Sequence, residues 1–315
     1  MTMKILITGI TGMIGAHFAN VCREREWEVI GIARSTSSSR LVGENSQAIE
    51  RCDIIDMYSL TSVFKKHKFD YVAHFAAQAF NSVSWEQEWY THQVNNFGTM
   101  NLMSCVRQFS PEAKVLLACS SAEYGLVKAQ DGPLTEDRPL RPISPYGVSK
   151  VVTESLGYQY FQNYGLKVFL PRMFIHVGTG HPPATAIQNF ARQLALIKQG
   201  KQAPVMHVGS LTTARDFIDV RDGVSGLMLL QDSELIGMPV NISTSKAHSI
   251  ATVLEMLIEI SGVKVEVKQD QSLLRPSDEE VLLGDNSRLR GLGWTQRYTF
   301  KETLSAVFED WMSRV

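Results

Sequence analysis

The chain has 315 residues, of which 44 % are hydrophobic and 20 % are charged, an ordinary composition for a soluble globular protein. This length allows one large core, or a main domain with a smaller partner. The formal net charge of −1 argues against nucleic acid or an anionic membrane as a partner. No apolar run is long enough for a transmembrane helix, and the N-terminal residues lack a signal-peptide profile. The 4 cysteines lack metal-like spacing, so we expect no metal site and a reducing, cytoplasmic location.

The first half of the chain alternates apolar strands with helical patterns. The predicted strands are 4–9, 27–34, 50–54, 71–77, 114–120 and 167–174. Helical patterns fill the intervals, notably 91–108 and 145–164. Strands separated by helices are typical of right-handed βαβ units and a parallel sheet. The sequence therefore predicts an α/β fold with a Rossmann-type, doubly wound parallel sheet.

The pattern changes after about residue 175, where segments are shorter and a Gly/Pro-rich turn occupies 178–185. Further elements are predicted as helices near 185–200, 220–231 and 249–261 and a strand at 264–269. We expect residues 1–174 to form the main domain. Residues 175–315 are expected to form a smaller α/β domain, interleaved with the last strands of the sheet.

The stretch "ITGITGMIG" (7–15) spaces three glycines between a strand and a helix. Gly9 permits a tight turn, Gly12 lets the backbone approach a pyrophosphate, and Gly15 allows close helix packing. The pattern predicts dinucleotide binding; the alternative is a glycine turn that serves packing alone. The candidate cofactor contacts of this loop are Gly9, Thr11, Gly12, Met13, Ile14 and Gly15.

The end of the second strand indicates which dinucleotide binds. An acidic residue there would hold the ribose 2′-hydroxyl of NAD, yet none occurs from Val29 through Gly43. Arg34 stands in that place, with Ser35 and Arg40 nearby. Because a guanidinium matches a 2′-phosphate in charge and geometry, NADP(H) is predicted. The alternative is a solvated basic loop that accepts either cofactor.

The stretch "SPYGVSK" (144–150) places Tyr146 and Lys150 four residues apart on one face of a predicted helix. A nearby ammonium favours the phenolate, so the phenol can exchange a proton more readily. The stretch "CSSAEYG" (119–125) adds Ser120 and Ser121 at the tip of a predicted strand. Together these residues indicate proton transfer beside a dinucleotide.

These motifs together resemble the extended short-chain dehydrogenase/reductase family, and the resemblance covers nearly the whole chain. It includes "CDIID" (52–56), "HFAAQ" (74–78) and "NNFGT" (95–99). The stretches "VGSLTTARDFIDVRDGV" (208–224) and "LLRPSDEEVLLGDNSRLRGLGW" (273–294) resemble the branch that acts on GDP-mannose-derived sugars. That branch contains 4,6-dehydratases and 4-keto-6-deoxy-mannose reductases.

The resemblance implies a role for each matching residue. Ser120, Tyr146 and Lys150 are the implied catalytic triad. The implied cofactor contacts, beyond the glycine loop and the basic loop, are Asp53, Ile54, Phe75, Ala76, Ala77, Gln78, Asn95, Tyr146, Lys150 and His176. The implied substrate contacts are Ser121, Asn189, Arg215, Arg275 and Asp278. The alternative for each of these arginines is an ion pair, and for His176 a simple loop histidine.

One position departs from the family pattern. The family commonly reads R-x-x-N-H after the sixth strand, where the Asn contacts the sugar nucleotide. Here Ile175 stands in that place, and its side chain cannot form a hydrogen bond. The pocket therefore holds a different sugar, or another amide such as Asn189 substitutes.

The strand tip also bears on the reaction. Family dehydratases carry an acidic residue just after the catalytic hydroxyl, where this chain has Ser121 and Ala122. We expect Glu123, one residue later on a strand, to point to the opposite face. The predicted reaction is therefore NADPH-dependent reduction of the C4 ketone of a GDP-4-keto-6-deoxy-hexose. The alternatives are a 4,6-dehydratase, an epimerase of the same family, and a non-enzymatic NADP(H)-binding regulatory protein. The resemblance further implies a homodimer. The helices at 91–108 and 145–164 are candidates for its interface; the alternative is that their apolar faces pack on the sheet.

Overall fold

The computed structural model describes residues 2–34, 49–273 and 280–315, and its strands belong to three sheets. The strands of this described part are β1 (Lys4–Thr8), β2 (Glu28–Ala33), β3 (Ile49–Arg51), β4 (Tyr71–His74), β5 (Lys114–Leu117), β6 (Cys119–Ser120), β7 (Lys167–Met173), β8 (Ile175–Val177), β9 (Val205–Val208), β10 (Ala214–Asp219), β11 (Pro239–Ile242), β12 (Ala247–Ser249), β13 (Glu266–Gln269) and β14 (Val281–Leu282).

Helices connect most of these strands. The α-helices of the described residues are α1 (Met13–Glu24), α2 (Met57–Lys66), α3 (Asn81–Glu86), α4 (Glu88–His92), α5 (Gly98–Phe109), α6 (Pro145–Tyr164), α7 (Ala186–Lys198), α8 (Val220–Gln231), α9 (Ile250–Ser261), α10 (Ser287–Gly291) and α11 (Phe300–Arg314). A π-helical turn (Gln93–Phe97) joins α4 to α5 without a break, and a 3₁₀ turn (Ser121–Tyr124) follows β6.

The main sheet has 8 strands in the order β11-β7-β5-β4-β1-β2-β3, with β6 paired to β7. Neighbouring strands pair in parallel, as in the register that aligns Thr8 with both Ile32 and His74. This order confirms the predicted doubly wound sheet of the Rossmann type. The winding reverses between β1 and β4, and ligands of such sheets bind in the crevice at that point, beyond the carboxyl ends of the strands.

Two apolar layers hold the helices against this sheet. Ile5 and Ile7 of β1 face the layer that contains α1 and α8, whereas Leu6 faces the layer that contains α2, α5 and α6. Because successive side chains of a strand point to opposite faces, a strand covered on both sides reads as a continuous apolar run. This is the reason that "KILIT" predicted a buried parallel strand.

The later part of the chain contributes to the main sheet and also forms its own layer. β11 pairs with β7 at one edge of the main sheet, while β8, β10, β12 and β14 form a second sheet. β9 and β13 form a third sheet, and α7, α9 and α11 pack together around a separate apolar cluster. Within the described ranges, no helix combines the length and the apolar character needed to cross a membrane.

Most predicted elements agree with the structure, and α6 has the expected bounds. The expected strand at 50–54 is β3, which ends at Arg51. The expected single α-helix at 91–108 is wrong in detail, because the segment contains the π turn of Gln93–Phe97. All four cysteines are free and buried in the core.

Candidate active site

The loop after β1 has the shape that a pyrophosphate needs. Gly9 has φ +70°, and a Cβ there would lie 2.7 Å from the amide nitrogen of Ala76. A Cβ at Gly15 would lie 2.3 Å from the carbonyl oxygen of Gly9, so α1 could not pack as closely. A Cβ at Gly12, the N-cap of α1, would meet only the Gly9 carbonyl, at 3.3 Å. The space in front of the helix N-terminus is therefore open, and the loop fits a dinucleotide.

A buried histidine joins the end of β1 to the helices beside the crevice. The Nδ1 atom of His74 lies 2.7 Å from Thr8 Oγ1, and its Nε2 atom lies 3.1 Å from Thr99 Oγ1. Thr99 Oγ1 donates to the carbonyl oxygen of Asn95 at 2.5 Å, so it accepts from His74 Nε2. Burial lowers the pKa of His74 to about 3, which keeps the ring neutral in this network.

Asn95 links the cofactor crevice to the helix that carries the catalytic pair. Its Oδ1 accepts from the amide N–H of Gln78 at 2.8 Å, and its Nδ2 donates to the carbonyl of the same residue at 3.1 Å. Nδ2 also donates to Ser149 Oγ at 2.9 Å, and Ser149 Oγ donates to the carbonyl oxygen of Tyr146 at 2.7 Å. Asn95 lies in the π turn, a geometry that is frequent at functional sites.

The predicted adenine side of the crevice lies at the ends of β2 and β3. Arg34 is exposed just after β2, and its Nη1 donates to the hydroxyl of Tyr90. Asp53 Oδ1 accepts from the amide N–H of Ile55 at 3.2 Å, and Ile54 is buried. Ser35 and Arg40 lie outside the described residues.

The predicted triad gathers where β6 meets α6. Ser144 caps the helix by accepting from the amide N–H of Gly147 at 3.1 Å, which starts α6 at Pro145. Ser120 is buried at the end of β6. Lys150 Nζ donates to the carbonyl oxygen of Ala118 at 2.7 Å and lies 5.9 Å from the ring centroid of Tyr146. The ammonium is thereby fixed between the strand tip and the phenol.

The residues after Ser120 do not continue the strand. They form a 3₁₀ turn in which Ser120 Oγ accepts from the amide N–H of Ala122 at 3.2 Å, and Glu123 Oε1 accepts from the amide N–H of Ser120 at 2.6 Å. The expectation of a strand at Glu123 is therefore wrong, and its side chain is held by this capping box. A Cβ at Gly147 would lie 2.6 Å from the carbonyl oxygen of Ala122, so glycine lets the turn approach α6 closely.

Glu123 belongs to a buried ionic cluster behind Ser120. Its side chain is 0 % exposed, and its Oε2 lies 3.8 Å from Arg172 Nε. Arg172 binds the carboxylate of Glu154 through Nε at 2.8 Å and Nη2 at 2.7 Å. Burial and the neighbouring Glu154 carboxylate raise the pKa of Glu123 well above its ordinary value. One guanidinium therefore faces two carboxyl groups, and burial favours the neutral form of Glu123.

Cys119 completes this cluster, because its sulfur and the oxygens of Glu123 and Glu154 lie within 4.8 Å of one another. Such a donor set could hold a metal ion in other surroundings. Here the Arg172 guanidinium already supplies the positive charge, and burial raises the pKa of the Cys119 thiol well above its ordinary value. We therefore interpret the cluster as an ion pair with a neutral acid.

Replacement of Glu123 by glutamine is expected to change the pH dependence of stability. The pKa of Glu123 is higher in the folded protein than in the unfolded chain. Its stabilising contribution to the free energy of unfolding is therefore fully present below the unfolded-state pKa, and it decreases as the pH rises towards the folded-state pKa. Relative to Glu123→Gln, the wild type should lose up to about 1.4 kcal/mol of unfolding free energy per pH unit above pH ~5. Urea unfolding at several pH values measures this difference.

The matched control is Glu112→Gln, since the Glu112 side chain is 91 % exposed. Its difference from the wild type should stay constant between about pH 6 and pH 8. A constant difference for Glu123→Gln as well would show that Glu123 is ionised in the folded protein.

The predicted substrate residues lie on elements of the later part of the chain. Asn189 is on α7 and lines a cavity of about 350 Å³. The other residues that line this cavity are Arg192, Gln193, Gln202, Ala203, Val205, His207 and Leu273. Arg215 is buried on β10, where its Nη1 donates to the carbonyl oxygen of Ala214 at 2.9 Å. Ser121 is buried in the 3₁₀ turn, and Arg275 and Asp278 lie outside the described residues.

Ile175 and His176 lie on β8, a strand that the sequence did not predict. The Nδ1 atom of His176 lies 2.8 Å from the carbonyl oxygen of Phe174. A Cβ on Gly223 would lie 2.2 Å from His176 Nε2, so the imidazole packs directly on α8. Burial lowers the pKa of His176 to about 4, which favours the neutral ring.

Comparison with known proteins identifies the family. The family model for GDP-mannose 4,6 dehydratase matches residues 6–307. The chain belongs to the GDP-mannose 4,6-dehydratase family. This membership confirms the resemblance to extended short-chain dehydrogenase/reductase enzymes and to their branch for GDP-mannose-derived sugars.

Relatives of this chain include both a reductase and dehydratases. GDP-6-deoxy-D-mannose reductase of Pseudomonas aeruginosa is 29% identical, over 100% of this chain and 99% of the relative. GDP-mannose 4,6-dehydratase of Vibrio cholerae is 30% identical, over 98% of this chain and 94% of the relative. A solved structure of RMD from Pseudomonas aeruginosa complexed with NADPH has a TM-score of 0.89 and 29% identity, with 100% of both chains covered.

Some polar residues of the site were not predicted from the sequence. Glu154 and Arg172 hold the cluster behind Ser120, yet they lie 18 residues apart, in α6 and β7. Tyr90 contacts Arg34 across 56 residues of sequence. No local pattern links such residues, so only the folded structure reveals these contacts.

Proposed function

We propose that this protein is an NADPH-dependent reductase of the C4 ketone of a GDP-4-keto-6-deoxy-hexose. The observation that carries the proposal is the turn after Ser120. By the resemblance, Ser121 and Ala122 stand where family dehydratases carry an acidic residue, and Glu123 is bound within the buried cluster. The reductase relative and the NADPH complex support the same reaction and cofactor.

The cofactor supplies a hydride when it is bound. Gly9 and Gly12 would hold its pyrophosphate at the N-terminus of α1, and Arg34 would hold the 2′-phosphate of NADPH. Phe75, Ala76, Ala77 and Gln78 follow β4, the strand that pairs with β1, and they would line the crevice around the nicotinamide half of the cofactor.

Ser120 is prepared to bind the substrate carbonyl. Its Oγ accepts from the amide N–H of Ala122 and donates to no acceptor in the part of the chain that the structure describes, so its hydrogen can be donated to the C4 oxygen. Tyr146 donates the phenolic proton to the C4 oxygen as negative charge develops there. Lys150 uses one N–H for Ala118, and its remaining donors can stabilise the phenolate and bind a ribose hydroxyl.

The alternatives differ in what else they require. A 4,6-dehydratase needs a base for the C5 proton and an acid for the C6 hydroxyl, and neither Ser121 nor Ala122 carries a proton efficiently. An epimerase uses the same triad but keeps its cofactor through the cycle, usually as NAD⁺, which Arg34 disfavours.

The division of the chain at residue 174 into a cofactor-binding part and a substrate-binding part remains a prediction.

The cavity at Asn189 supports a nucleotide subsite on α7. It combines an amide, the Arg192 guanidinium and the imidazole of His207 with the apolar Leu273, a set suited to a base and a diphosphate. Leu273 directly precedes the segment of Arg275 and Asp278. We assign the GDP moiety to this side of the protein, and Arg215 of β10 remains a candidate phosphate ligand.

The purified protein is expected to oxidise NADPH when GDP-4-keto-6-deoxy-mannose is added, because the proton-transfer set is complete. It should form no 4-keto-6-deoxy product from GDP-mannose and NADP⁺, because the acid after Ser120 is missing. Absorbance at the NADPH maximum and chromatography of the sugar nucleotides measure both reactions. Formation of the keto product from GDP-mannose would contradict the argument from Ser121 and Ala122.

We also propose a homodimer, and a cytoplasmic location consistent with four free cysteines. Large apolar side chains are exposed on the helices expected at the interface. On the segment from α4 to α5 these are Trp89 (76 % exposed), Phe97 (52 %) and Met100 (42 %), and on α6 they include Tyr158 (51 %) and Tyr164 (46 %). Exposed large apolar side chains on neighbouring helices are typical of an interface between subunits.

Sedimentation equilibrium is expected to give about twice the 35.2 kDa mass of one chain. Phe97→Glu combined with Tyr158→Glu should shift the protein to monomers, because burial of two charges opposes association. Val267→Glu is the control, since Val267 is 39 % exposed on β13. A monomeric wild type would contradict the proposal.

A further inference from the structure

The guanidinium expected to bind the 2′-phosphate has a partner in the protein. Arg34 follows β2, is exposed, and donates from Nη1 to the hydroxyl of Tyr90. Its guanidinium carbon lies 6.0 Å from the centroid of the Tyr90 ring. An exposed arginine otherwise samples many rotamers. The contact with Tyr90 holds this one beside the crevice.

Tyr90 is itself held in place. Its ring is partly buried against the apolar layer that contains α2, α5 and α6. The next residue of α4, Thr91, accepts through Oγ1 from Gln78 Nε2 at 3.0 Å. Asn95 follows in the π turn and binds the backbone of Gln78. One continuous helical segment therefore contacts both the adenine side and the nicotinamide side of the crevice.

The chemistry of the pair leaves the phosphate-binding edge available. A guanidinium carries several N–H donors, and the Tyr90 hydroxyl accepts a hydrogen bond from one of them, on Nη1. The remaining donors can still form a bidentate contact with a phosphate. Restricting the side chain before binding lowers the entropic cost of that contact.

We propose that Tyr90 is a positioning residue that favours NADPH over NADH by holding the Arg34 guanidinium at the 2′-phosphate site. The inference rests on the proposed role of Arg34 in cofactor binding. Tyr90 acts only through Arg34. Its hydroxyl should therefore matter for the phosphorylated cofactor alone, and only while the arginine is present.

Four proteins test this inference: the wild type, Tyr90→Phe, Arg34→Ala and the double variant. Fluorescence titration gives the Kd of each for NADPH and for NADH, without any sugar nucleotide. Tyr90→Phe should weaken NADPH binding between about twofold and about tenfold and leave NADH binding unchanged. Arg34→Ala should weaken NADPH binding between about fivefold and about 150-fold. The double variant should match Arg34→Ala.

Tyr58→Phe is the matched control, because Tyr58 is 83 % exposed on α2, and its Kd values should equal those of the wild type. An unchanged NADPH-to-NADH ratio in Arg34→Ala would overturn the phosphate site and the inference with it. If Arg34→Ala changes the NADPH-to-NADH ratio of Kd values but Tyr90→Phe leaves it as in the wild type, the inference about Tyr90 is overturned and the phosphate site stands. Equal weakening of both cofactors, or tighter NADPH binding, in Tyr90→Phe would also overturn it.

Discussion

Replacement of Tyr146 by phenylalanine is expected to lower kcat for NADPH-dependent ketone reduction by about 10²- to 10⁴-fold. The change removes the only phenolic hydroxyl in the predicted triad and leaves the ring beside Lys150, whose Nζ lies 5.9 Å from the ring centroid. The carbonyl oxygen would then gain negative charge with no positioned proton donor. Stopped-flow measurement of NADPH oxidation at saturating keto-sugar nucleotide gives kcat directly.

Measurement of NADPH binding distinguishes loss of the proton donor from damage to the fold in Tyr146→Phe. Tyr146 is itself an implied cofactor contact, but the glycine loop and Arg34 lie on other elements, so Tyr146→Phe should bind NADPH within about tenfold of the wild type. Tyr160→Phe is the matched control on the same helix, 14 residues further along α6. Among the described residues, the Tyr160 hydroxyl forms a hydrogen bond with Ser104 alone, at 3.1 Å. A kcat of Tyr146→Phe close to that of Tyr160→Phe would exclude Tyr146 as the proton donor.

The parts of the fold that follow local patterns could be predicted from the sequence. The apolar run of β1 is covered on both faces, and the Ser-Pro start of α6 supplies both an N-cap and a favourable first residue. The strands at 205–208 and 239–242 were not predicted, because they are short and lack a clear alternation. β11 joins the main sheet beside β7, a pairing over about 70 residues that no local signal records.

The residues of the candidate site also include some that local motifs predict and others that depend on long-range contacts. The glycine loop and the Tyr146–Lys150 pair are local motifs, so spacing alone predicted their positions on a turn and a helix face. Glu123 was misplaced, because its neighbours suggested a strand, whereas the capping box with Ser120 folds the chain into a 3₁₀ turn. Its partner Arg172 lies 49 residues away, and burial of both side chains depends on the assembled core.

Replacement of Arg172 by methionine is expected to lower the free energy of unfolding by about 3–5 kcal/mol. The Arg172 side chain is 4 % exposed and binds the Glu154 carboxylate through two N–H donors. Nη1 also donates to Tyr124 Oη at 3.1 Å and to the carbonyl oxygen of Glu136 at 2.9 Å. Methionine fills similar volume but leaves these acceptors buried without a donor. Urea unfolding at pH 7 measures the loss.

The comparison with a surface pair decides whether burial causes this effect. Arg138 binds Asp131 at 2.9 Å, a distance close to those in the Arg172 pair, but its side chain is 30 % exposed. Arg138→Met should therefore cost less than about 1 kcal/mol, since water replaces the lost partner. Glu154→Gln added to Arg172→Met should recover part of the loss, because the unpaired charge is then removed. Equal costs for the two arginines would mean that water reaches the cluster behind Ser120, and that Glu123 need not be neutral there.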